Sequence, residues 1–353
     1  MLLNAALPRP TQDFSRSSAF RRVLEELAMV SRRALMGMGI AGGALVAAGG
    51  GTAFAYSSAI AKARSACDPA LSSVINTRFG DLEYAEVGSG TPFLMIHGTG
   101  GGFDQGLNFA SRLVGLGYRV ISPSRFGYLR TPIYEDPSSA NQADAFVDLL
   151  DHLQIERVAV AGGSAGALSA IEFAVRHPDR CAALLPIVPA AYTPDSDAVT
   201  AENPPPGIEA AMTLLRSDFL FWCGLVAVPD LMTGTLLATD PALLQTVDAS
   251  EVVRARDILW SILPVSRRAD GLVNDAKLAG HPSPSALETI TAPTYAISVE
   301  DDRFGTAKAA RHIAATVPGA RLTIFPTGGH IWLGHDEELF AGIDGFLKEI
   351  GYR

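Results

Sequence analysis

The 353-residue sequence predicts an α/β fold: a doubly wound, mostly parallel β-sheet with an inserted helical cap. Short apolar segments alternate with amphipathic helical segments over residues 92–188, and the alternation returns over residues 292–350. Apolar strands that alternate with helices are typical of a parallel sheet covered on both faces. Between these stretches, prolines interrupt a mostly helical pattern, which indicates an insertion over one edge of the sheet.

The predicted elements follow in chain order. A hairpin pattern at residues 76–87 precedes the first buried strand and belongs at a sheet edge. Apolar strands are predicted at 92–96, 120–123, 158–161, 181–188, 292–298 and 321–325. Helical periodicity predicts helices at 107–116, 142–153, 164–176, 306–315 and 337–350.

These patterns divide the chain into a core and a cap. We assign residues 76–189 and 287–353 to the core and residues 190–286 to the cap. Aromatic residues are frequent in the cap, and Phe219 and Trp222 are candidates for substrate binding. A cap also needs an apolar core of its own, so the sequence leaves both roles open for these two residues.

The N-terminal segment, residues 1–66, differs from the rest of the chain. Residues 31–36 read Ser-Arg-Arg-Ala-Leu-Met, and an uncharged, Gly/Ala-rich run continues to residue 61. The segment resembles a twin-arginine export signal, with the export machinery as its partner. The run also exceeds the roughly 20 residues that span a bilayer, so a cleaved signal and a retained membrane anchor both stay open. Either one places the body beyond the bacterial cytoplasmic membrane, on the periplasmic or extracellular side.

Charge and cysteine content exclude several classes of partner. Residues 1–66 hold eight Lys/Arg and three acidic residues, a net charge of +5, which leaves −14 for the remainder. An acidic body argues against nucleic acid, because phosphate binding needs a basic face. The three cysteines form no disulfide framework, and no metal-ligand spacing occurs, so we expect neither a metal nor a cofactor.

A Gly-x-Ser-x-Gly motif at residues 162–166 follows the apolar strand and precedes a helix. This strand–turn–helix context is the one that a nucleophile elbow needs, with Ser164 at its tip. The tight turn leaves no room for neighbouring side chains, which explains the glycines two positions before and after the serine. The motif alone is common, so its weight depends on the rest of the chain.

Three further motifs accompany the elbow, each after a predicted strand. They are His-Gly-Thr-Gly-Gly-Gly at 97–102, Ser-Val-Glu-Asp-Asp at 298–302 and Gly-Gly-His at 328–330. Together and in this order, they make residues 76–353 resemble the α/β-hydrolase superfamily of the kind with a helical cap. The order nucleophile, acid, base is the one expected for that fold.

The resemblance and the chemistry assign roles to five residues. Ser164 is the expected nucleophile, and it needs a base, His330, within hydrogen-bond reach. Asp302 is expected to orient the imidazole and stabilise its cation. The backbone N–H groups of Thr99 and Ala165 are the expected oxyanion donors.

Two of these assignments have rivals in the sequence. Asp301 competes with Asp302, because the family usually has a glycine three residues before its aspartate and Val299 stands there. His335 competes with His330, although it comes just before the final helix, where a capping role is common. We favour Asp302 and His330.

Three functions follow as hypotheses. The first is a serine hydrolase that cleaves a carboxylic ester or related acyl bond of an apolar small molecule through an acyl-enzyme. The second keeps the fold and the triad but cleaves a carbon–carbon bond, or acts as a cofactor-free peroxidase. The third is a ligand-binding module without catalysis. The sequence does not identify the substrate or the oligomeric state.

Overall fold

The computed structural model describes residues 50–194 and 215–353. The twin-arginine-like residues 31–36 and the cap residues 195–214 lie outside the described part. Eight strands of the described chain form one sheet, with bounds β1 Ser73–Thr77, β2 Gly80–Val87, β3 Thr91–Ile96, β4 Tyr118–Pro123, β5 Val158–Gly163, β6 Cys181–Ile187, β7 Tyr295–Val299 and β8 Arg321–Phe325.

The strands lie in the order β1-β2-β4-β3-β5-β6-β7-β8. The pairs β1–β2 and β2–β4 are antiparallel, and every later pair in the sheet is parallel. The predicted doubly wound, mostly parallel sheet is therefore confirmed. Because β3 and β5 are neighbours, the loops that follow them meet at one edge, and the loops after β7 and β8 reach the same edge.

Helices cover both faces of the sheet. The described helices are α1 Gly50–Ala66, α2 Phe103–Phe109, α3 Ser111–Gly115, α4 Ser139–His152, α5 Gly166–Arg176, α6 Asp218–Ala227, α7 Pro229–Leu236, α8 Ala249–Trp260, α9 Ala269–Leu278, α10 Thr306–Thr316 and α11 Asp336–Glu349. One apolar layer joins α4, α5 and α10 to the sheet, for example through Phe146 and Phe173. The other joins α3 and α11, for example through Leu113 and Phe340. Burying both faces explains why the strands read as continuous apolar runs.

Two helix predictions differ from the structure. The helix predicted at 107–116 is instead two short helices, α2 and α3, and it starts earlier, at Phe103. Gly106 allows this start, because a Cβ there would lie 2.1 Å from the Ser122 hydroxyl on β4. The helix predicted from residue 164 begins at Gly166, because Ser164 has a φ of 51° and lies outside helical geometry.

Helices α6 to α9 lie between β6 and β7 and form a third apolar cluster. Helix α1 belongs to this cluster through Ile60 and Tyr56, so the end of the N-terminal segment packs against the cap. Ile331 and Leu333, which follow β8, also belong to it, so the cap packs on the loop after the last strand. No single helix among the described residues is long and apolar enough to cross a membrane; α6 and α7 meet that criterion only together, bent by 111°.

Candidate active site

The turn after β5 has the geometry of a nucleophile elbow. Ser164 has a φ of 51°, which a non-glycine residue rarely adopts. A Cβ on Gly162 would lie 2.5 Å from the Gly166 carbonyl oxygen, and one on Gly166 would lie 2.5 Å from the Ile96 carbonyl oxygen. A Cβ on Gly163 would meet nothing closer than 3.6 Å. Close backbone approach therefore requires glycine at 162 and 166 but not at 163.

The loop after β3 lies directly against this turn. A Cβ on Gly98 would stand 3.2 Å from both the Gly163 carbonyl oxygen and the Ser164 Cβ. The Gly98 N–H donates to Gln105 Oε1 on α2 at 3.1 Å, which fixes the start of the loop. The backbone of residues 98–100 is thereby held beside the serine.

Two backbone donors at this junction are unoccupied. The N–H groups of Gly98 and Gly100 donate hydrogen bonds to side chains, and that of Gly101 donates to a backbone carbonyl. Within residues 50–194 and 215–353, those of Thr99 and Ala165 have no partner. Ala165 precedes α5, so its N–H lies at the positive end of the helix dipole. Two free N–H groups on adjacent turns can bind an oxyanion.

The acid and the base of the predicted triad are in contact. His330 Nδ1 lies 2.8 Å from Asp302 Oδ2, and both side chains are buried. Asp302 also accepts hydrogen bonds from the Phe304 N–H at 2.9 Å and from the Thr306 hydroxyl. The Phe304 ring meets the imidazole edge-on, with centroids 4.8 Å apart. The carboxylate is fully hydrogen-bonded, and Nδ1 of the imidazole is committed to it, which leaves Nε2 for proton transfer.

Asp301, the rival acid, has a different set of partners. Its carboxylate accepts the N–H of Gly329 at 2.8 Å and that of Gly328 at 3.3 Å. It therefore holds the backbone of the loop that carries His330, and the neighbouring Asp302 holds the imidazole. Two adjacent carboxylates thus fix one histidine by its backbone and by its ring.

His335, the rival base, lies at the N-terminal end of α11. Its ring stacks on Phe325 with centroids 4.2 Å apart, and Nδ1 lies 3.3 Å from Glu338 Oε2. This surface pair does not include either candidate acid. The structure brings Asp302 to His330 and leaves His335 at a helix end.

A buried histidine supports the loop after β3. His97 Nδ1 donates to the Gly98 carbonyl at 2.7 Å, and Nε2 accepts the Arg125 N–H at 2.9 Å. Burial, reinforced by the Arg125 guanidinium, lowers the pKa of His97 well below its usual range. The imidazole is therefore neutral, with its proton on Nδ1, and both of its nitrogens are occupied by backbone groups.

Arg125 connects the loop to the cap. Its guanidinium donates to the His97 carbonyl at 3.0 Å and to Asp275 of α9, reaching Oδ1 at 2.7 Å. The Tyr128 hydroxyl donates to Asp275 at 2.6 Å and accepts the Gly100 N–H at 3.2 Å. Burial lowers the pKa of Arg125, but Asp275 and Tyr128 together raise it above its usual value, so the guanidinium stays charged.

A second buried arginine runs from the cap to the core. Arg268, just before α9, forms an ion pair with Asp104 of α2 at 2.7 Å and also donates to the Gly101 carbonyl. Sequence reasoning missed Asp275, Arg268 and Tyr128. Their partners lie more than 140 residues away or in another element, so no local motif marks them.

The candidate substrate residues lie in an aromatic cluster with α1. The Phe219 and Trp222 rings are 6.1 Å apart, and Tyr56 meets them at 5.2 and 5.6 Å. Trp222 is buried, and Phe219 is 40% exposed. This packing is the cap-core role that the sequence left open, and a contact with substrate stays a prediction.

The described residues hold no group of three His, Cys, Asp or Glu side chains that could bind a metal ion. The cysteines Cys67, Cys181 and Cys223 are buried free thiols. Burial raises the pKa of Cys181 to about 12, so this thiol stays protonated and unreactive.

Comparisons with known proteins give consistent matches. The 2-hydroxy-6-oxononadienedioate/2-hydroxy-6-oxononatrienedioate hydrolase of Paraburkholderia xenovorans is 30% identical over 263 residues, covering 70% of this chain and 84% of that protein. The uncharacterized hydrolase YcgS of Bacillus subtilis is 45% identical over 101 residues, 29% of this chain and 35% of that protein.

Among solved structures, an alpha/beta hydrolase fold protein from Nakamurella multipartita matches with a TM-score of 0.60 at 25% identity, covering 79% of this chain and 99% of that one. A family model described as the alpha/beta hydrolase fold matches residues 91–334. That range includes the elbow, the acid loop and the histidine loop, so the chain belongs to the α/β-hydrolase fold family.

Proposed function

We propose that the chain is a serine hydrolase that uses Ser164, His330 and Asp302. The observation that carries the proposal is the hydrogen bond of 2.8 Å between His330 and Asp302, at the sheet edge where Ser164 ends β5. The unoccupied N–H groups of Thr99 and Ala165 support it, because acyl transfer needs donors for a developing oxyanion. A complete set of these parts argues against a ligand-binding module without catalysis.

The proposed reaction runs in two halves. The Ser164 hydroxyl attacks a carbonyl carbon while His330 Nε2 takes its proton, and the Thr99 and Ala165 N–H groups stabilise the oxyanion. His330 then protonates the leaving group, and an acyl-enzyme remains on Ser164. Water, deprotonated by His330, releases the acid product and restores the serine. Asp302 keeps the imidazole in the productive tautomer and stabilises its cation.

Relatives favour a carbon–carbon bond as the one that is cleaved. The Paraburkholderia relative is named for the hydrolysis of a dienedioate ketone, and the Burkholderia cepacia relative, 26% identical, for that of a phenylhexadienoate ketone. We therefore propose a vinylogous diketone as the first substrate class. A carboxylic ester is the second, since its alkoxide leaving group needs only the proton that His330 supplies.

Substitutions of the two neighbouring aspartates should differ in their effect on kcat. We expect Asp302→Asn to lower kcat by about 10³- to 10⁴-fold, because an amide cannot stabilise the imidazolium or enforce its tautomer. We expect Asp301→Asn, the matched control, to stay within about tenfold of wild type, because the amide oxygen still accepts a backbone N–H. Turnover and thermal melting of both variants provide the measurement, and equal losses in kcat would contradict the assignment.

The scissile bond can be identified by parallel turnover assays. An uncharged aryl vinylogous diketone is followed by loss of its dienol absorbance, and 4-nitrophenyl esters of graded length by release of nitrophenolate. We expect the diketone to exceed the best ester in kcat/KM, and Ser164→Ala to reduce both activities by at least about 10⁴-fold. Turnover of esters alone would replace the first substrate class with the second. A fluorophosphonate that leaves folded protein unlabelled at Ser164 would refute the nucleophile.

We also propose that the N-terminal segment takes the body across the cytoplasmic membrane. The support is the Ser-Arg-Arg sequence at 31–36 and the uncharged run after it. Tyr56 and Ile60, near the end of that run, pack against the cap. We expect the double change Arg32→Lys and Arg33→Lys to retain the protein in the cytoplasm. Cell fractionation and N-terminal mass spectrometry test this, and an unchanged cytoplasmic location in both proteins would exclude export.

A further inference from the structure

The cap is strongly acidic by composition. Residues 190–286 hold twelve Asp/Glu and six Lys/Arg, a net charge of −6. Within them, residues 195–214 contain four acidic residues and no Lys, Arg or His. The described cap residues alone hold eight Asp/Glu and the same six Lys/Arg, so their net charge is also negative, which disfavours the approach of an anion.

The described cap residues hold no buried cation free for a ligand. Four of the six cap Lys/Arg side chains are exposed: Arg216, Arg256, Arg267 and Lys277. Arg254 is half-buried and donates to Glu251 at 2.7 Å and to the Ile331 carbonyl at 2.9 Å. Arg268 is buried and belongs to Asp104. Both inward cations therefore already have a carboxylate.

The arginines of the core loops at the same sheet edge are also paired with carboxylates. Arg125 is 2% exposed and bound by Asp275. Arg130 pairs with Glu83 at 2.7 Å. Arg303, next to the candidate acid, pairs with Asp240 at 2.9 Å. In the described part of the chain, each of these three arginines is paired with a carboxylate.

A substrate carboxylate that entered this site would lose water without gaining a cation, which is strongly unfavourable. We propose that the site selects uncharged acyl substrates and rejects those that carry a carboxylate. This rests on the proposed function and narrows it. The doubly anionic dioates after which the Paraburkholderia relative is named are then poor substrates for this chain.

Three matched ester substrates, assayed with the full-length protein, test the selection. They are 4-nitrophenyl pentanoate, 4-nitrophenyl hydrogen glutarate, which has the same chain length with a terminal carboxylate, and 4-nitrophenyl methyl glutarate, which is larger but uncharged. We expect the free acid to fall at least about 100-fold below the pentanoate in kcat/KM, and the methyl ester to recover most of that loss. Ser164→Ala gives the background rate.

The outcomes distinguish failure of the charge selection from failure of the proposed hydrolase function. A glutarate within tenfold of the pentanoate overturns the charge selection and leaves the serine hydrolase intact. A methyl ester as poor as the free acid also overturns it, because size would then explain the loss. If no ester or diketone is turned over and Ser164 is not labelled, the proposed function fails, and the selection fails with it.

A separate contact joins the cap to the candidate base. Thr239, in the segment after α7, is fully buried. Its hydroxyl donates to the Leu237 carbonyl at 2.7 Å and accepts the backbone N–H of His330 at 3.0 Å. A Cβ on Gly329 would lie 2.5 Å from this hydroxyl oxygen, so Thr239 packs directly against the backbone of the histidine loop. The neighbouring Ala238 carbonyl accepts the Arg303 N–H at 3.1 Å, so one cap segment contacts both loops of the acid–base pair.

We infer that Thr239 is a positioning residue that holds the backbone of His330, and with it the imidazole, in place. The oxygen bonds the histidine backbone and leaves the ring to Asp302. This role rests on the proposed function but not on the substrate class.

Isosteric variants test this role. Thr239→Val keeps the shape but removes the acceptor, and we expect kcat to fall about tenfold or more with KM within about threefold. Thr239→Ser keeps the hydroxyl and should restore most of kcat. If the valine variant does not fold by near-ultraviolet circular dichroism, Thr239→Ala is measured by the same criteria. A serine variant as slow as valine, a change confined to KM, or full activity without the hydroxyl would each overturn the inference, and loss of Ser164 labelling in wild type would refute the function instead.

Discussion

Two buried ion pairs, crossing between cap and core in opposite directions, set the geometry on which the candidate site depends. Arg125 of the core reaches Asp275 of the cap, and Arg268 of the cap reaches Asp104 of the core. A buried charge that loses its partner costs about 3–5 kcal/mol, so neither pair separates while the chain is folded. Each arginine also donates to a carbonyl of the loop after β3. The two ion pairs therefore also fix the shape of that loop.

The shape of the loop explains why the Thr99 N–H is left free. His97 is neutral and ties the Gly98 carbonyl to the Arg125 backbone, and Tyr128 takes the Gly100 N–H. With the neighbouring groups committed, the Thr99 N–H is left between them without a partner. Such preorganisation removes the cost of rearranging donors when charge develops on a substrate oxygen. The backbone of the loop that carries His330 is held in the same way, by Asp301 and Thr239.

Much of the fold followed from local patterns, because strands buried on both faces must be apolar and covering helices must be amphipathic. The elbow could also be predicted from a local pattern, because its glycines are required by close contacts around Ser164. The choice between Asp301 and Asp302 was not local in this sense. The two are adjacent, and only the path of the turn after β7 decides which carboxylate faces the imidazole and which faces the backbone of the next loop.

The residues that sequence reasoning missed share a physical property: each acts through a partner brought near by the fold rather than by the chain. Asp275 and Arg125 are 150 positions apart, and Thr239 and His330 are 91 apart. No periodicity or motif encodes such a pair, because either residue alone is an ordinary polar side chain in an apolar stretch. The proposed triad is therefore recognisable from short motifs, whereas the contacts that position its loops run between the cap and those motifs. Both proposals, the selection of substrate by charge and the positioning of the base by Thr239, therefore involve the same inserted segment.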